Sequence, residues 1–492
     1  MSVRWPLSLK KIPTLSMIED QYKRATQRLK GRLFVPYQRD GVLWMMSMES
    51  QTNGPRGGFL CDEMGLGKTV QIISTMLGNP KERTLIVVPK SVISQWSEEI
   101  RKFSDLNVEI YDGPNRKLEM NCDVVLAPYT VMGDFQLHGV RWDRIVLDEA
   151  HEIRNIQSKT FKNVIRLQSG IRWIVTGTPV FNSMKDFVSL ACFLGFSKLQ
   201  AQGMTQDIKD VYILRRTKED LAQINERLRL PKCHFENVEL DMYKEESQLY
   251  EVVFSEAQDT IREAFRHALS LNAKNMLIIE CLLRARQCMI WPQLYLNGVA
   301  QKEGQVAEVW SHSTAKMDTL FKMLDEHPDE KSLIFCQFRG EMDYIQKRCT
   351  VPVFRIDGSL QKDERARQIQ AFKKAPSGSV FIIQIKAGGQ GLNLQEATRV
   401  YITAPAWNPA TELQAIGRSH RTGQTKEVWV KKLVYKESPR FVSVEQEMMA
   451  LQGHKSILCS QVLNDERIKG QIPVNRITEK ISILDIKKIF KA

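Results

Sequence analysis

Short apolar, β-branched runs recur at Leu85–Val88, Asp123–Leu126, Arg144–Leu147 and Trp173–Thr176, each of the length and character of a buried strand. Longer stretches of helical period separate them, as in Ser91–Phe103, where Val92, Ile93, Trp96, Ile100 and Phe103 are the apolar positions. This alternation predicts a parallel α/β sheet. A second set of runs, Ser332–Cys336, Val380–Ile383, Arg399–Ile402 and Val428–Val430, predicts a second sheet. Between the sets, Tyr243–Tyr295 is charged, helix-periodic and almost free of glycine, so the stretch 214–315 reads as a helical insertion. At the C-terminal end, Ile483, Ile486, Ile489 and Phe490 are spaced for one face of a short basic helix, which suits packing on the body or a nucleic-acid contact.

A chain of 492 residues is long enough for about three domains. Its 43% hydrophobic and 26% charged residues exclude a disordered or collagen-like chain. Charge changes the picture more. Seventy Lys and Arg against 57 Asp and Glu leave a net +13, which favours a polyanionic partner, nucleic acid or an acidic surface. The nine cysteines include no C-x-x-C pair, which argues against zinc ribbons, RING domains and disulfide frameworks and for reduced thiols in an intracellular protein. No apolar run approaches the roughly 18 residues of a membrane span, and Arg4, Lys10 and Lys11 interrupt the N-terminus where a signal peptide would be apolar.

The candidate chemistry begins at Phe59–Thr69, where a strand runs into a glycine-rich turn ending in Gly67, Lys68 and Thr69 and then into a helix. Such a turn lets backbone N–H groups crowd around phosphate oxygens at a helix N-terminus, with lysine adding a point charge and the threonine hydroxyl a Mg²⁺ ligand. The strict pattern has glycine where this chain has Asp62, and a glycine-rich turn with a surface lysine fits the same residues. A second strand, Arg144–Leu147, runs into the adjacent carboxylates Asp148 and Glu149, followed by His151. Asp148 is placed to hold Mg²⁺ and Glu149 to orient or deprotonate the attacking water; singly, either carboxylate suits a helix cap and His151 a structural histidine. In the second half, Arg418 and Arg421 lie three apart on a predicted helix within Gln414–Gln424. At that spacing both can project from one helix face toward a triphosphate, although surface salt bridges would use the same residues. Catalytic groups divided between two lobes would make hydrolysis depend on lobe closure.

These motifs together resemble the Swi/Snf-related, helicase-like ATPases of helicase superfamily two. The resemblance runs from about Leu33 to Tyr435 through Val35–Val42, Asp62–Thr69, Leu85–Lys90, Asp148–His151, Thr176–Pro179, Ile213–Lys218, Leu333–Phe338, Asp357–Ser359, Lys386–Asn393 and Gln414–Gln424. It implies two tandem RecA-like lobes, 33–213 and 316–466, flanked by an N-terminal extension (1–32) and a basic tail (467–492), with the helical insertion 214–315 between them. It implies ATP and Mg²⁺ as cofactors. Gln38 would read the adenine, and Asp62, Glu63, Met64, Gly65, Leu66, Gly67, Lys68 and Thr69 would form the phosphate loop. Thr69 and Asp148 would hold the metal; Asp148 and Glu149 would catalyse. Gly391, Arg418 and Arg421 would approach the nucleotide from the second lobe, the arginines as fingers. His151, Thr176 and Thr178 would couple nucleotide to DNA, and Lys90, Gln337 and Lys386 would track a DNA backbone. Gln384, Phe181 and Gly417 replace a usual serine, glutamine and acidic residue.

Within the superfamily, the Thr-Gly-Thr-Pro segment favours translocation on double-stranded DNA with displacement of bound protein, and backbone tracking implies little sequence specificity and steep salt dependence. Leu282–Pro292 resembles the Leu-Arg-Gln segment of repair-type members, but without RING spacing no ubiquitin ligation is expected. The short flanks suggest a bare motor, similar to forms in large DNA viruses and microbes, with a protein complex supplying its target in a nucleus or a viral or cytoplasmic DNA-processing site. The rival readings are a strand-separating helicase and a DNA-binding transcription-complex subunit with nucleoside triphosphatase activity.

Overall fold

A computed structural model describes residues 15–34, 36–177, 184–204, 206–224, 230–267, 270–387, 392–421, 423–463 and 490. These fall into two compact units that divide between Arg229 and Leu230, with 458–463 grouping with the first.

The first unit is built on β1 (Gly57–Leu60), β2 (Thr84–Val88), β3 (Val108–Ile110), β4 (Val124–Pro128), β5 (Arg141–Asp148), β6 (Gln168–Val175) and β7 (Ile213–Leu214). They form one sheet in the order β3-β4-β2-β5-β6-β1-β7, parallel at every pairing. Every residue of β1, β2 and β4 is buried, because helices cover both faces of a parallel sheet and its strands become continuous apolar runs. The runs legible in the sequence are β2, β4, β5 and β6. The short edge strands β3 and β7 carry no such run.

Beneath the sheet lies a buried ion pair. Arg144 donates from Nε and Nη2 to the two carboxylate oxygens of Glu49, both at 2.6 Å, and both side chains are almost fully buried. Trp173 Nε1 donates to Glu49 Oε1 at 2.9 Å and Asn79 Nδ2 to Oε2 at 2.6 Å. Glu49 ends the helix Tyr37–Ser50 and Asn79 caps the helix Lys68–Gly78, so this one carboxylate fixes the far ends of two helices to β5 and β6. At Gly78 a Cβ would lie 2.1 Å from Met46 Cε and 2.5 Å from the Gln21 carbonyl oxygen; glycine lets the helix Leu15–Arg28 lie against it.

The second unit holds β8 (Cys233–Leu240), β9 (Ser332–Cys336), β10 (Val353–Ile356), β11 (Val380–Gln384), β12 (Arg399–Ile402) and β13 (Val428–Tyr435). Their order is β10-β11-β9-β12-β13-β8, again parallel throughout. Successive residues point to opposite faces: Leu333 and Phe335 pack with Phe372 and Phe381 on one side, and Ile334 and Cys336 with Met317 and Met342 on the other.

The insertion expected to be helical over 214–315 differs at its start. Cys233–Leu240 is the edge strand β8, in register with β13 from Cys233↔Val428 to Leu240↔Tyr435. It is half-buried, with Glu236 and Glu239 exposed, and therefore lacks the apolar run that betrays a central strand. Helices do follow at Lys244–Arg266, Leu271–Ile290 and Pro292–Glu303. The first two pack through Tyr250, Phe254, Ile261, Ile278 and Met289. The proposed tail helix lies outside the described residues except for Phe490, which is buried in that same cluster, 5.3 Å from the Phe254 ring.

Replacing Glu49 by alanine strands Arg144 without its counter-ion, and removing one partner of a buried pair costs about 3–5 kcal/mol. Chemical denaturation of Glu49→Ala should therefore show a lower midpoint for the first unit, with a smaller loss in Glu49→Gln.

Candidate functional site

Strand register assembles the candidate residues of the first unit. Leu60 pairs with Val175 on one side and Leu214 on the other, and Val175 pairs with Asp148. The chain segments that follow, beginning at Cys61, Thr176, Arg215 and Glu149, thus leave one edge of the sheet side by side. That edge is the carboxyl end of parallel strands, where open α/β sheets bind ligands.

The loop from Cys61 to Gly67 reaches its helix through Gly65 and Gly67, both at positive φ (88° and 76°). Gly67 is the N-cap in the left-handed region, and a Cβ on it would lie 2.4 Å from Gln38 Nε2. Gln38 is buried; it donates to the Leu66 carbonyl at 3.2 Å and accepts from the Phe34 N–H at 2.8 Å. Leu66 packs with Tyr37 and Leu221. Lys68, the first helical residue, donates from Nζ to the Asp62 carbonyl at 2.8 Å. Thr69 follows it in the first turn of the helix, and Met64 sits half-buried in the loop.

Asp62 is fully buried. Its carboxylate accepts from Arg216 through both oxygens, at 2.9 Å from Nε to Oδ1 and from Nη2 to Oδ2, and from Gln71 Nε2 at 3.0 Å. Arg216 also donates to the Tyr37 carbonyl and, at 2.7 Å, to Gln71 Oε1. The guanidinium is admitted by Gly41, where a Cβ would lie 2.0 Å from Gln71 Oε1 and 2.6 Å from Arg216 Nη2. Beside it, Glu63 Oε2 accepts from the Lys218 N–H at 2.9 Å. Arg216 escaped assignment in the sequence although it lies in the motif Ile213–Lys218. The signal was there: an aspartate in the place of a loop glycine needs a cation if it is buried.

At the end of β5, Asp148 Oδ2 accepts from Trp96 Nε1 at 2.7 Å, and Oδ1 accepts from the Glu149 N–H at 3.0 Å. Burial raises the Asp148 carboxyl, to about 6; the adjacent Glu149 charge adds to this, while the Trp96 hydrogen bond and the Lys68 charge oppose it. Glu149 has φ 48°, an uncommon conformation for a residue with a Cβ, and its carboxylate lies 3.4 Å from His151 Nδ1. Thr176 is buried, and its N–H donates to the Leu60 carbonyl at 3.2 Å. Lys90 follows β2 at the start of a short 3-10 helix; its exposed ammonium lies 3.2 Å from Asp112. Thr178 lies outside the described residues.

In the second unit, Gln384 pairs with Cys336 and Ile402 with Phe335, so Gln337 and Lys386 leave neighbouring strands at one edge. Gln337 donates to the Ala404 carbonyl at 3.2 Å, and Lys386 is exposed. Gly391 lies outside the described residues. Arg418 and Arg421 do not share a helix face, contrary to the expectation from their spacing. The helix Pro409–Ile416 stops at Gly417, and the arginines occupy the turns that follow. There Ser419 Oγ donates to the Ala397 carbonyl at 2.5 Å and His420 Nε2 lies 2.8 Å from the Pro231 carbonyl oxygen, tethers that draw the chain off the helix axis. Both arginines are nonetheless held against the segment after 391: the Leu394 N–H donates to the Arg418 carbonyl at 3.0 Å, and Arg421 Nη1 donates to the Leu392 carbonyl at 3.2 Å.

Residues 37–206 match the SNF2-related domain and residues 315–423 the helicase conserved C-terminal domain. A Bacillus subtilis protein provisionally named an ATP-dependent helicase/translocase is 30% identical over 95% of this chain and 52% of its own length. The ISWI chromatin-remodeling complex ATPase ISW1 of Saccharomyces cerevisiae is 28% identical over 95% of this chain and 44% of its own. The chain belongs to the SNF2-related, helicase-like ATPases. It spans about half the length of these two relatives. A protein of Orgyia pseudotsugata multicapsid polyhedrosis virus provisionally named a global transactivator is 29% identical over 88% of this chain and 93% of its own. Among solved structures, a Sulfolobus solfataricus SWI2/SNF2 ATPase core in complex with dsDNA is 28% identical, covers 94% of this chain and has a TM-score of 0.40. Among the described residues no helix is long and apolar enough to cross a membrane, and no cluster of three or more His, Cys, Asp or Glu could hold a metal ion.

The Asp62–Arg216 pair gives a test of how the loop is held. Asp62→Ala and Arg216→Ala each leave a buried charge without its partner and should cost about 3–5 kcal/mol. The double variant should lose less than the sum, by about 0.5–3 kcal/mol, in a double-mutant cycle read by thermal unfolding.

Proposed function

We propose that this chain hydrolyses ATP with Mg²⁺ to move along double-stranded DNA and displace proteins bound to it. The observation that carries the proposal is the register at the edge of the first sheet, which sets the glycine loop of β1 beside the carboxylates of β5 with only β6 between them. Family membership and the net charge of +13 support it. The residues suit a nucleotide and its metal. Gly65 and Gly67, both at positive φ, turn the chain into a helix N-terminus, a place that favours phosphate oxygens, and Thr69 and Asp148 offer the hard oxygen donors that Mg²⁺ prefers.

In this reading Gln38 meets the adenine while its amide braces Leu66, so that base recognition and loop geometry share one side chain. Asp62, Glu63, Met64 and Leu66 shape the loop, and Lys68 turns from the Asp62 carbonyl to the terminal phosphates. Thr69 and Asp148 would hold Mg²⁺, whose charge would offset that of the phosphates. Glu149 orients the attacking water and takes its proton, with His151 fixing the carboxylate. Arg418 and Arg421 supply cations for the charge that develops in transfer, and Gly391 borders the same triphosphate. His151, Thr176 and Thr178 relay the nucleotide state to the DNA. Lys90, Gln337 and Lys386 contact backbone phosphates, so affinity falls with salt and varies little with sequence. A protein complex supplies the target.

Lys68→Ala should weaken ATP binding, whereas Glu149→Gln should bind ATP as the wild type does and turn over at least 100-fold more slowly, since it loses only the group that acts on water. Equilibrium binding of a fluorescent ATP analogue and steady-state phosphate release separate the two. Movement is read by release of a third strand from a triplex on a long duplex: the wild type should release it in an ATP-dependent manner and leave a forked duplex paired. Unwinding of the fork by the protein alone would assign strand separation instead.

A further inference from the structure

The hydrogen bond from Trp96 to Asp148 joins two parts of the proposed machinery. Lys90 opens the short 3-10 helix Lys90–Val92, and the helix Ile93–Phe103 follows at the next residue, with Val92 as its N-cap. Trp96 lies on that helix six residues beyond Lys90, roughly 9 Å along a helix axis. Its side chain is 3% exposed, and its Nε1 donates to Asp148 Oδ2 at 2.7 Å. Ile93 and Ile100, on the same helix, are buried, so the helix carries the indole as part of one packed body. An indole N–H can only donate, and its acceptor is a carboxylate already fixed through its other oxygen by the Glu149 N–H. The helix thereby offers a packed path from residue 90 to the carboxylate of Asp148. At the start of the helix, the exposed Lys90 ammonium lies 3.2 Å from Asp112 and keeps donors free for a backbone phosphate.

We propose that Trp96 is a positioning residue that couples the nucleic-acid segment at Lys90 to the metal-holding carboxylate Asp148. This rests on the reading of Lys90 and Asp148 given above. Partners that orient a ligating carboxylate set metal affinity, typically by about 10–100-fold, so the state of the Lys90 segment is felt as a change in how Asp148 receives its metal. The coupling is reciprocal: nucleotide with Mg²⁺ must alter duplex affinity by the same factor that duplex alters nucleotide affinity.

Trp96→Phe keeps an aromatic ring in the site and removes the N–H. Two readouts test it. The first is duplex affinity with and without a non-hydrolysable ATP analogue and Mg²⁺; the second is the Mg²⁺ concentration giving half-maximal hydrolysis. In Trp96→Phe the two duplex affinities should converge to within about twofold, with the nucleotide-free value unchanged, and the Mg²⁺ requirement should rise by about 10-fold or more. Both readouts are independent of the fraction of folded protein, so partial unfolding of the variant does not mimic the effect. Tyr129→Phe is the comparison: Tyr129 donates to the Asp148 backbone carbonyl at 2.8 Å without touching the carboxylate, and should leave the Mg²⁺ requirement at the wild-type value. Wild-type coupling and Mg²⁺ requirement in Trp96→Phe would overturn the inference while leaving the translocase reading intact. A wild type whose hydrolysis ignores duplex DNA would remove both.

Discussion

The ion pair between Asp62 and Arg216 is the contact on which the first unit's candidate site depends. The loop from Cys61 to Gly67 belongs to neither strand nor helix, and its backbone is tied by the Glu63 N–H to the Arg216 carbonyl at 2.9 Å and by the Leu66 N–H to the Glu63 carbonyl at 3.3 Å. Here its first residues are fixed from below. Arg216 grips the Asp62 carboxylate, the Tyr37 carbonyl and Gln71 at once, binding the loop, the segment carrying Gln38 and the helix after Lys68 into one rigid group. Buried charges are costly unless paired and fully hydrogen-bonded, and this pair is both. Gly41 is part of the same arrangement, because any side chain there would occupy the place of the guanidinium.

The opposite end of the helix Lys68–Gly78 is anchored in the same currency, by Asn79 and the Glu49–Arg144 pair. The helix Lys68–Gly78 is thus held at both ends by buried carboxylates, while the carboxylate pair at Asp148 and Glu149 is left in tension. Burial and mutual repulsion raise Asp148, and a positive φ is imposed on Glu149. Strain of this kind persists where the surroundings over-determine a residue, and it collects at functional sites. Two carboxylates that disfavour each other's charge are the arrangement a divalent cation would relieve.

Much of this is legible in the sequence alone. Central strands announced themselves because burial on both faces leaves only apolar residues, and the strand ends then pointed to Lys68, Asp148 and Glu149. What the sequence hides depends on long-range contact. Edge strand β8 looked unlike a strand because half of it meets solvent. Arg418 and Arg421 have helical spacing, but Gly417 and the tethers at Ser419 and His420 end the helix first. In the sequence Trp96 is one more apolar position on a helix; only the fold reveals that its polar atom, and not its ring alone, has a partner. The reach of Arg216 across more than 150 residues to Asp62 has no local signature beyond the carboxylate that needs it.

We propose that hydrolysis and the grip on duplex DNA are two readings of one conformational state. Steady-state ATPase of the full chain, measured side by side in buffer, with single-stranded DNA, with linear duplex DNA and with RNA, tests it most directly. Turnover should rise several-fold or more with duplex DNA, and the stimulation should fade as salt increases. A rate with linear duplex equal to that in plain buffer would contradict it.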